Sequence, residues 1–166
     1  GLIAHSLGAR VALAALRHAP NAHIARCVLL SGAEYREIAR DTLTGQVGRA
    51  TQVFNIRSTE NLPFDAAFRL TVPAPHATAL PLAAGLRHQP NWTDIRIDCP
   101  KTRRHLAAQG HRIPAPKTRI CHWSAYLRPG LFPLYRRLLT PGLAPIPPCS
   151  PARTANGGPA PTLSPL

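Results

Sequence analysis

Residues 1–10 of the chain read GLIAHSLGAR, and this stretch decides the predicted fold. Residues 1–4 read as the end of a buried strand, whereas residues 6–18 carry alanine and leucine at one-face spacing, which predicts a helix. Ser6 therefore lies where a strand turns directly into a helix. A sharp turn of this kind exposes the Ser6 hydroxyl and directs the next backbone N–H, that of Leu7, towards the same space.

The sequence after this turn predicts alternating strands and helices. The apolar run of residues 27–30 suits a strand that is buried on both faces. Residues 34–44 predict a helix, and residues 52–56 a strand with β-branched and aromatic content. Strand, helix, strand, helix, strand at this spacing predicts parallel βαβ units in a three-layer α/β sheet.

The second half of the chain is less regular. Frequent prolines in residues 62–92 predict mostly loop with short helical turns. Beyond them, the patterns predict strands over 92–98 and 118–121 and helices over 101–109 and 131–139.

The composition changes at Thr140. From there the chain is rich in proline and almost without charge, so it cannot bury enough apolar surface to offset its ordering entropy. We expect one domain over residues 1–139 and a disordered tail over 140–166.

The chain is strongly basic, with 20 Lys and Arg against 7 Asp and Glu and a net charge of +13. Such a charge suits a nucleic-acid or membrane-surface partner. The basic residues are nevertheless spread singly along the sequence, with closer groups only at 101–105 and 136–137. No zinc-finger, RNA-binding aromatic or basic-heptad pattern accompanies them. We therefore attribute the charge to compositional bias and expect no nucleic-acid partner.

The cysteines and the hydropathy pattern limit the other function classes. Cys27, Cys99, Cys121 and Cys149 lack the spacing of a metal site, and we expect neither a metal nor another cofactor. No disulfide framework is evident, so buried or free thiols in a reducing compartment are expected, which favours a cytoplasmic protein. No apolar run reaches the length of a transmembrane helix, about 18 residues or more.

The motif around Ser6 carries a family resemblance. Ala4-His5-Ser6-Leu7-Gly8 resembles the G-x-S-x-G nucleophile elbow of the α/β-hydrolase superfamily, in the His-Ser-Leu/Met-Gly form of esterases and lipases. Alanine replaces the first glycine, a difference of one methyl group. The resemblance covers roughly residues 1–139 and implies a three-layer parallel sheet of the α/β-hydrolase type.

The resemblance also implies roles for the residues of the turn. Ser6 would be the nucleophile and the Leu7 N–H one donor of the oxyanion hole. The second donor in this superfamily comes from a loop upstream of the elbow. Because the chain starts inside the motif and with glycine, we expect the N-terminal half of the domain to be missing and the oxyanion hole to be half built.

In this superfamily an acid and then a histidine follow the serine along the chain. His122 matches the position of the general base because it follows the last expected strand, and His111 is the runner-up.

The acid is expected a few residues past the strand of residues 52–56. That position falls on Glu60 or Asn61, and Asp65 lies one turn further on. We favour Glu60 over Asp65, with Asp94 and Asp98 as more remote alternatives. Each of these carboxylates could instead be a surface group or a helix cap.

The resemblance thus implies a serine hydrolase that acts on an ester or related small-molecule acyl substrate through a Ser-acid-His triad, as a fragment with reduced or no activity alone. The alternative is a non-catalytic relative that binds a partner or ligand.

Overall fold

The computed structural model describes residues 1–19, 21–86 and 88–140. Four strands form a sheet in the order β1-β2-β3-β4, and each neighbouring pair is parallel. The strands are β1 (Leu2–His5), β2 (Arg26–Leu30), β3 (Gln52–Arg57) and β4 (Trp92–Arg96). The helices of the described residues are α1 (Gly8–His18), α2 (Arg36–Thr44), α3 (Gln46–Ala50), α4 (Leu62–Thr71), α5 (Pro100–Ala108), α6 (Ser124–Leu127) and α7 (Leu131–Leu139).

Helices cover both faces of the sheet. Cys27 and Leu29 of β2 face a core that contains residues of α1 and α2. Val28 and Leu30 face the opposite core, built from α5, α6 and α7. Residues 27–30 are all fully buried, as expected for a strand between two helical layers. Burying each such side chain stabilises the fold by roughly 1.5–3 kcal/mol.

The predicted parallel α/β architecture is confirmed. Strands form at three predicted places, as β2, β3 and β4, and the helix and strand that flank Ser6 are also present. The helices predicted over 101–109 and 131–139 are confirmed as α5 and α7.

Two parts of the prediction are wrong. The region expected to be mostly loop contains α4, because Pro63 lies in the first helical turn, where a missing N–H costs nothing. Residues 118–121 form no strand, and β4 is the last strand of the described sheet. Residues 114–120 are exposed, and Ile120, the aliphatic residue of the predicted core strand, is itself 60% exposed.

Three further expectations concern the rest of the chain. Apart from Thr140, the tail predicted over 140–166 lies outside the described residues. No helix in the described part has both the length and the apolar character needed to cross a membrane. Cys27 and Cys121 have free thiols as expected, whereas Cys99 is disulfide-bonded, so the expectation is wrong for that residue.

The parallel arrangement brings four loops to one edge of the sheet. The carboxyl ends of β1, β2, β3 and β4 lie side by side, so the residues after each strand become neighbours. Ser6 follows β1, Ser31 follows β2, and Asn61 follows β3. The candidate site is built at this edge.

Candidate active site

Ser6 occupies a strained turn between β1 and α1. Its φ of 52° lies in the left-handed region, which costs a non-glycine residue about 1–2 kcal/mol. Backbone hydrogen bonds hold the turn: the Ser6 N–H donates to Leu30 O at 3.0 Å, and the N–H groups of Ala9 and Ala33 donate to Ser6 O at 3.0 Å each. The strained conformation is thus imposed from both β2 and α1.

The packing around the turn explains which small residues it needs. A Cβ at Gly8 would lie 3.8 Å from the Cβ of Ala4, an ordinary contact, so the methyl group of Ala4 fits. The tight approach is instead at Gly32, where a Cβ would lie 3.1 Å from the Cβ of Ala9. The alanine that departs from the G-x-S-x-G pattern is therefore accommodated without displacement.

Leu7 places a backbone N–H at the amino end of α1. Its φ and ψ of −59° and −22° continue the turn into the helix. Within the described residues the Leu7 N–H makes no backbone hydrogen bond. An unpaired N–H at a helix amino terminus attracts negative charge because the helix dipole adds positive potential there.

His122 lies in the loop between α5 and α6 and is held at two adjacent points of the loop after β3. The Cys121 N–H donates to Glu60 O at 3.0 Å, and His122 Nδ1 lies 2.7 Å from Oδ1 of Asn61. The Phe64 ring of α4 packs against the imidazole with centroids 4.6 Å apart. These contacts fix both the backbone and the ring of His122 without a preceding strand.

His122 has an aromatic neighbour on β1. The centroids of His5 and His122 are 4.6 Å apart, and His5 Nε2 lies 3.3 Å from His122 O. Burial lowers the pKa of His122, and the like charge of His5 lowers it further. Burial also lowers the pKa of His5. His122 is therefore neutral, and available as a base, at a pH where an ordinary histidine is partly protonated.

Asn61 connects His122 to a buried carboxylate. The Asn61 Nδ2 group donates to Oδ1 of Asp65 at 2.8 Å. Burial raises the pKa of Asp65 to about 6, although the Asn61 hydrogen bond opposes the shift. Oδ2 of Asp65 is buried and has no hydrogen-bond partner among the described residues. The Asp65 carboxylate therefore contacts the nitrogen of the Asn61 amide, and the oxygen of the same amide contacts His122.

Glu60, the favoured candidate for the acid, has its carboxylate in a different buried cluster. It accepts hydrogen bonds from Arg128 and, at 2.7 Å, from the Ser58 hydroxyl. Arg128 also donates to Ile97 O at 2.7 Å. The side chain of Glu60 therefore anchors the segment after His122, while its backbone carbonyl anchors Cys121.

The other candidates lie apart from Ser6. Asp94 accepts from Asn55 at 2.8 Å, and Asp98 accepts from Arg96 and Thr59. His111 lines a cavity with Phe132 and Arg136. None of the three lines the cavity beside Ser6.

A cavity of about 210 Å³ joins Ser6 to His122. Leu7, Asn61 and Asp65 also line it, and α4 together with the residue after it contributes a mainly apolar wall. The wall residues are Phe64, Ala67, Phe68, Thr71 and Val72. Among the described residues no hydrogen bond joins the Ser6 hydroxyl to His122, so the two meet as neighbours across the cavity.

Sequence reasoning did not single out two features of this site. The contact of Asn61 with His122 could have been predicted, because Asn61 is one of the two residues at the expected acid position. Ser31 has a φ of 45°, is buried and lines the same cavity. The Ser31-Gly32 pair at the end of an apolar run was its only sequence signal.

No group of three or more His, Cys, Asp or Glu side chains in the described part of the chain is arranged to hold a metal ion. Comparison with protein-family models, with curated proteins and with solved structures gives no match to this chain.

Proposed function

We propose that the chain is a serine hydrolase of the α/β-hydrolase type that acts on an ester or related acyl substrate. One observation carries the proposal. Ser6 is held at a positive φ between β1 and α1, and it shares a cavity with His122, whose ring is oriented by Asn61. Strained backbone at the junction of a parallel strand and a helix is the geometry of a nucleophile elbow.

The contacts of Asn61 determine which nitrogen of His122 acts as the base. The Asn61 amide nitrogen donates a hydrogen bond to Asp65, so the amide oxygen of Asn61 faces His122. That Oδ1 atom accepts a hydrogen bond from Nδ1 of His122. Nδ1 therefore carries the proton, and Nε2 is free. Nε2 takes the proton of the Ser6 hydroxyl as Oγ attacks the acyl carbon, and it later gives that proton to the leaving group.

Charge develops at two points during this step. The oxyanion of the tetrahedral intermediate is stabilised by the Leu7 N–H and the amino end of α1. The imidazolium of His122 is stabilised by Oδ1 of Asn61 and, more remotely, by the Asp65 carboxylate. Asn61 and Asp65 are positioning residues, because they act on the reacting atoms through His122.

The cavity favours a small apolar acyl group. The cavity volume of about 210 Å³ is below the range of about 300–1,000 Å³ that is typical of pockets for drug-sized ligands. The α4 side chains that line the cavity beside Ser6 are mainly apolar apart from the Asp65 carboxylate, which is engaged by Asn61, so this wall suits an apolar acyl chain. Short acyl chains are therefore expected to fit better than long ones.

Hydrolysis of p-nitrophenyl esters of increasing acyl length tests the proposal. We expect kcat/KM to rise from acetate to butyrate or hexanoate and to fall for longer chains. Ser6→Ala should abolish turnover, whereas Ser31→Ala, which changes the other positive-φ serine of the cavity, should keep it. A folded protein that hydrolyses none of the esters and forms no fluorophosphonate adduct on Ser6 would instead be a binding relative.

Two substitutions on α4 locate the acyl group. Ala67 lines the cavity, whereas Leu70 is 88% exposed and does not line it. Ala67→Trp should lower kcat/KM for hexanoate at least tenfold while acetate changes little, and Leu70→Trp should alter neither. Equal effects of the two substitutions would contradict this position of the acyl chain.

A further inference from the structure

Basic residues occur along the whole chain, whereas acidic residues are confined to one part of it. All 7 acidic residues lie between Glu34 and Asp98, so residues 99–140 carry none. These residues build α5, α6 and α7, which share one face of the sheet. One arginine of this layer, Arg128, is buried against Glu60. The outer surface of the layer is therefore basic.

This layer exposes many basic side chains. They include Lys101, Arg104, Arg112, Lys117, Arg119 and Arg136. None of these six takes part in the ion pairs found among the described residues. A surface of one sign attracts partners of the opposite charge.

The same layer exposes a row of large apolar side chains. Trp123, Leu127 and Phe132 are 56%, 71% and 58% exposed. The Tyr126 ring lies between two of them, with centroids 5.9 Å from Trp123 and 6.1 Å from Phe132. Leu127 is one helical turn beyond Trp123, and its N–H donates to Trp123 O at 2.9 Å. The row is therefore continuous.

Arginines border this apolar row. Phe132 and Arg136 line one open cavity together with His111. Arg112, the next residue, lines a second cavity with Arg103 and Arg104 of α5. We call this surface the basic aromatic face; its members are Trp123, Leu127, Phe132, Arg103, Arg104, Arg112 and Arg136.

We propose that the basic aromatic face docks on a lipid bilayer that contains anionic phospholipid. Arginine attracts anionic headgroups, while tryptophan, phenylalanine and leucine side chains enter the boundary between headgroups and acyl chains. A nucleic acid would use the arginines and stack on the rings, but it offers no place for the exposed aliphatic chain of Leu127. The proposal involves surface binding and no spanning segment.

The face adjoins the candidate active site. Trp123 stacks on His5 with centroids 5.0 Å apart, and His5 precedes Ser6. A docked molecule would therefore hold the Ser6 cavity close to the lipid surface. Docking itself does not depend on hydrolysis, so it can be measured separately from the proposed function.

The test is co-sedimentation of the protein with vesicles of phosphatidylcholine alone and of phosphatidylcholine mixed with phosphatidylglycerol. We expect binding to the mixed vesicles only, weakened by salt. Tryptophan emission provides a second measurement, because the chain holds 2 tryptophans and Trp92 is only 7% exposed. Entry of Trp123 into the lipid boundary should shift the emission to shorter wavelength.

Matched variants distinguish binding through the basic aromatic face from binding through the overall positive charge. Arg104→Gln/Arg112→Gln/Arg136→Gln should lower the partition coefficient about fivefold per arginine, and therefore about 100-fold in total. The control Arg17→Gln/Arg40→Gln/Arg69→Gln removes the same charge from exposed positions of α1, α2 and α4 and should have much less effect.

A second pair of variants tests the apolar row. Leu127→Ser/Phe132→Ser should weaken binding and reduce the emission shift, while Val11→Ser/Leu70→Ser, which removes two apolar side chains elsewhere that are at least as exposed, should not. Absence of binding to the mixed vesicles, or equal losses in test and control variants, would overturn the proposal. Salt-dependent binding of duplex DNA with no vesicle binding would assign the face to nucleic acid instead.

Discussion

Nδ1 of His122 lies 2.7 Å from Oδ1 of Asn61, so the candidate base contacts a neutral amide. The nearest carboxylate of this chain of contacts is that of Asp65, which accepts from the other end of the same amide. The amide sets the tautomer of His122, and the carboxylate supplies charge from further away. This division of roles gives distinct predictions for the two residues.

Replacing Asn61 tests the orientation of His122. Asn61→Ala removes the acceptor for Nδ1, so kcat/KM for p-nitrophenyl butyrate should fall by about 10- to 100-fold with little change in fold. Asn61→Asp keeps the acceptor and adds negative charge, which should raise the pKa of His122 and move the acidic limb of the pH–rate profile to higher pH. An Asn61→Ala protein with unchanged kcat/KM would contradict the role of this contact.

Replacing Asp65 tests a buried charge. Because burial raises the folded-state pKa of Asp65 to about 6, the folded protein binds more protons than the unfolded chain between the ordinary pKa of 3.8 and about 6. The free energy of unfolding should therefore fall as the pH rises through this window. Asp65→Asn should remove that fall and stabilise the protein by about 1–2 kcal/mol at neutral pH.

Urea unfolding at several pH values measures this effect. The same variant should lower kcat/KM, because it removes the charge behind Asn61. Asp41→Asn, at an exposed position of α2, is the control and should leave both quantities nearly unchanged. An Asp65→Asn protein that is less stable than the parent at neutral pH would contradict the conclusion that burial of the ionised Asp65 carboxylate is unfavourable.

Glycine at position 6 should relieve backbone strain. Ser6→Ala keeps a Cβ at a φ of 52°, whereas Ser6→Gly removes it. The free energy of unfolding should be about 1 kcal/mol higher for the glycine variant than for the alanine variant, and neither variant should be active. Differential scanning calorimetry measures the difference, and equal melting temperatures would indicate that the turn is not strained.

Breaking the Glu60–Arg128 pair should destabilise the fold. Glu60→Gln leaves a buried guanidinium without its carboxylate, which costs about 3–5 kcal/mol in comparable pairs. The control Glu37→Gln breaks a contact with His76 in which the two side chains are 26% and 49% exposed, and it should cost no more than about 1 kcal/mol. Chemical denaturation compares the two, and similar small losses would show that the pair contributes little.

The sequence predicted the sheet well because its strands are short apolar runs bounded by polar turns. Residues 27–30 and 52–56 are short and largely apolar, and such segments are buried most completely in the centre of a sheet. Both form central strands. The turn at Ser6 was predictable for the same reason, since its small residues and the helix that follows it are local features.

The position of the acid could not be predicted by local reasoning. Glu60 and Asn61 are consecutive residues of one 3₁₀ turn, so their side chains point in different directions. Which of them meets His122 depends on Arg128, 68 positions after Glu60, which takes the carboxylate. His122 was predicted from its order in the chain, and it lines the cavity beside Ser6 although the strand expected before it does not form.

The measurement that tests the central claim most directly is covalent labelling with a fluorophosphonate, followed by peptide mapping of the modified residue. We predict one adduct per chain, on Ser6, lost in Ser6→Ala, kept in Ser31→Ala and formed at least 100-fold more slowly in His122→Ala. An adduct on any other residue, or no adduct on a folded protein, would contradict the assignment of Ser6 as the nucleophile.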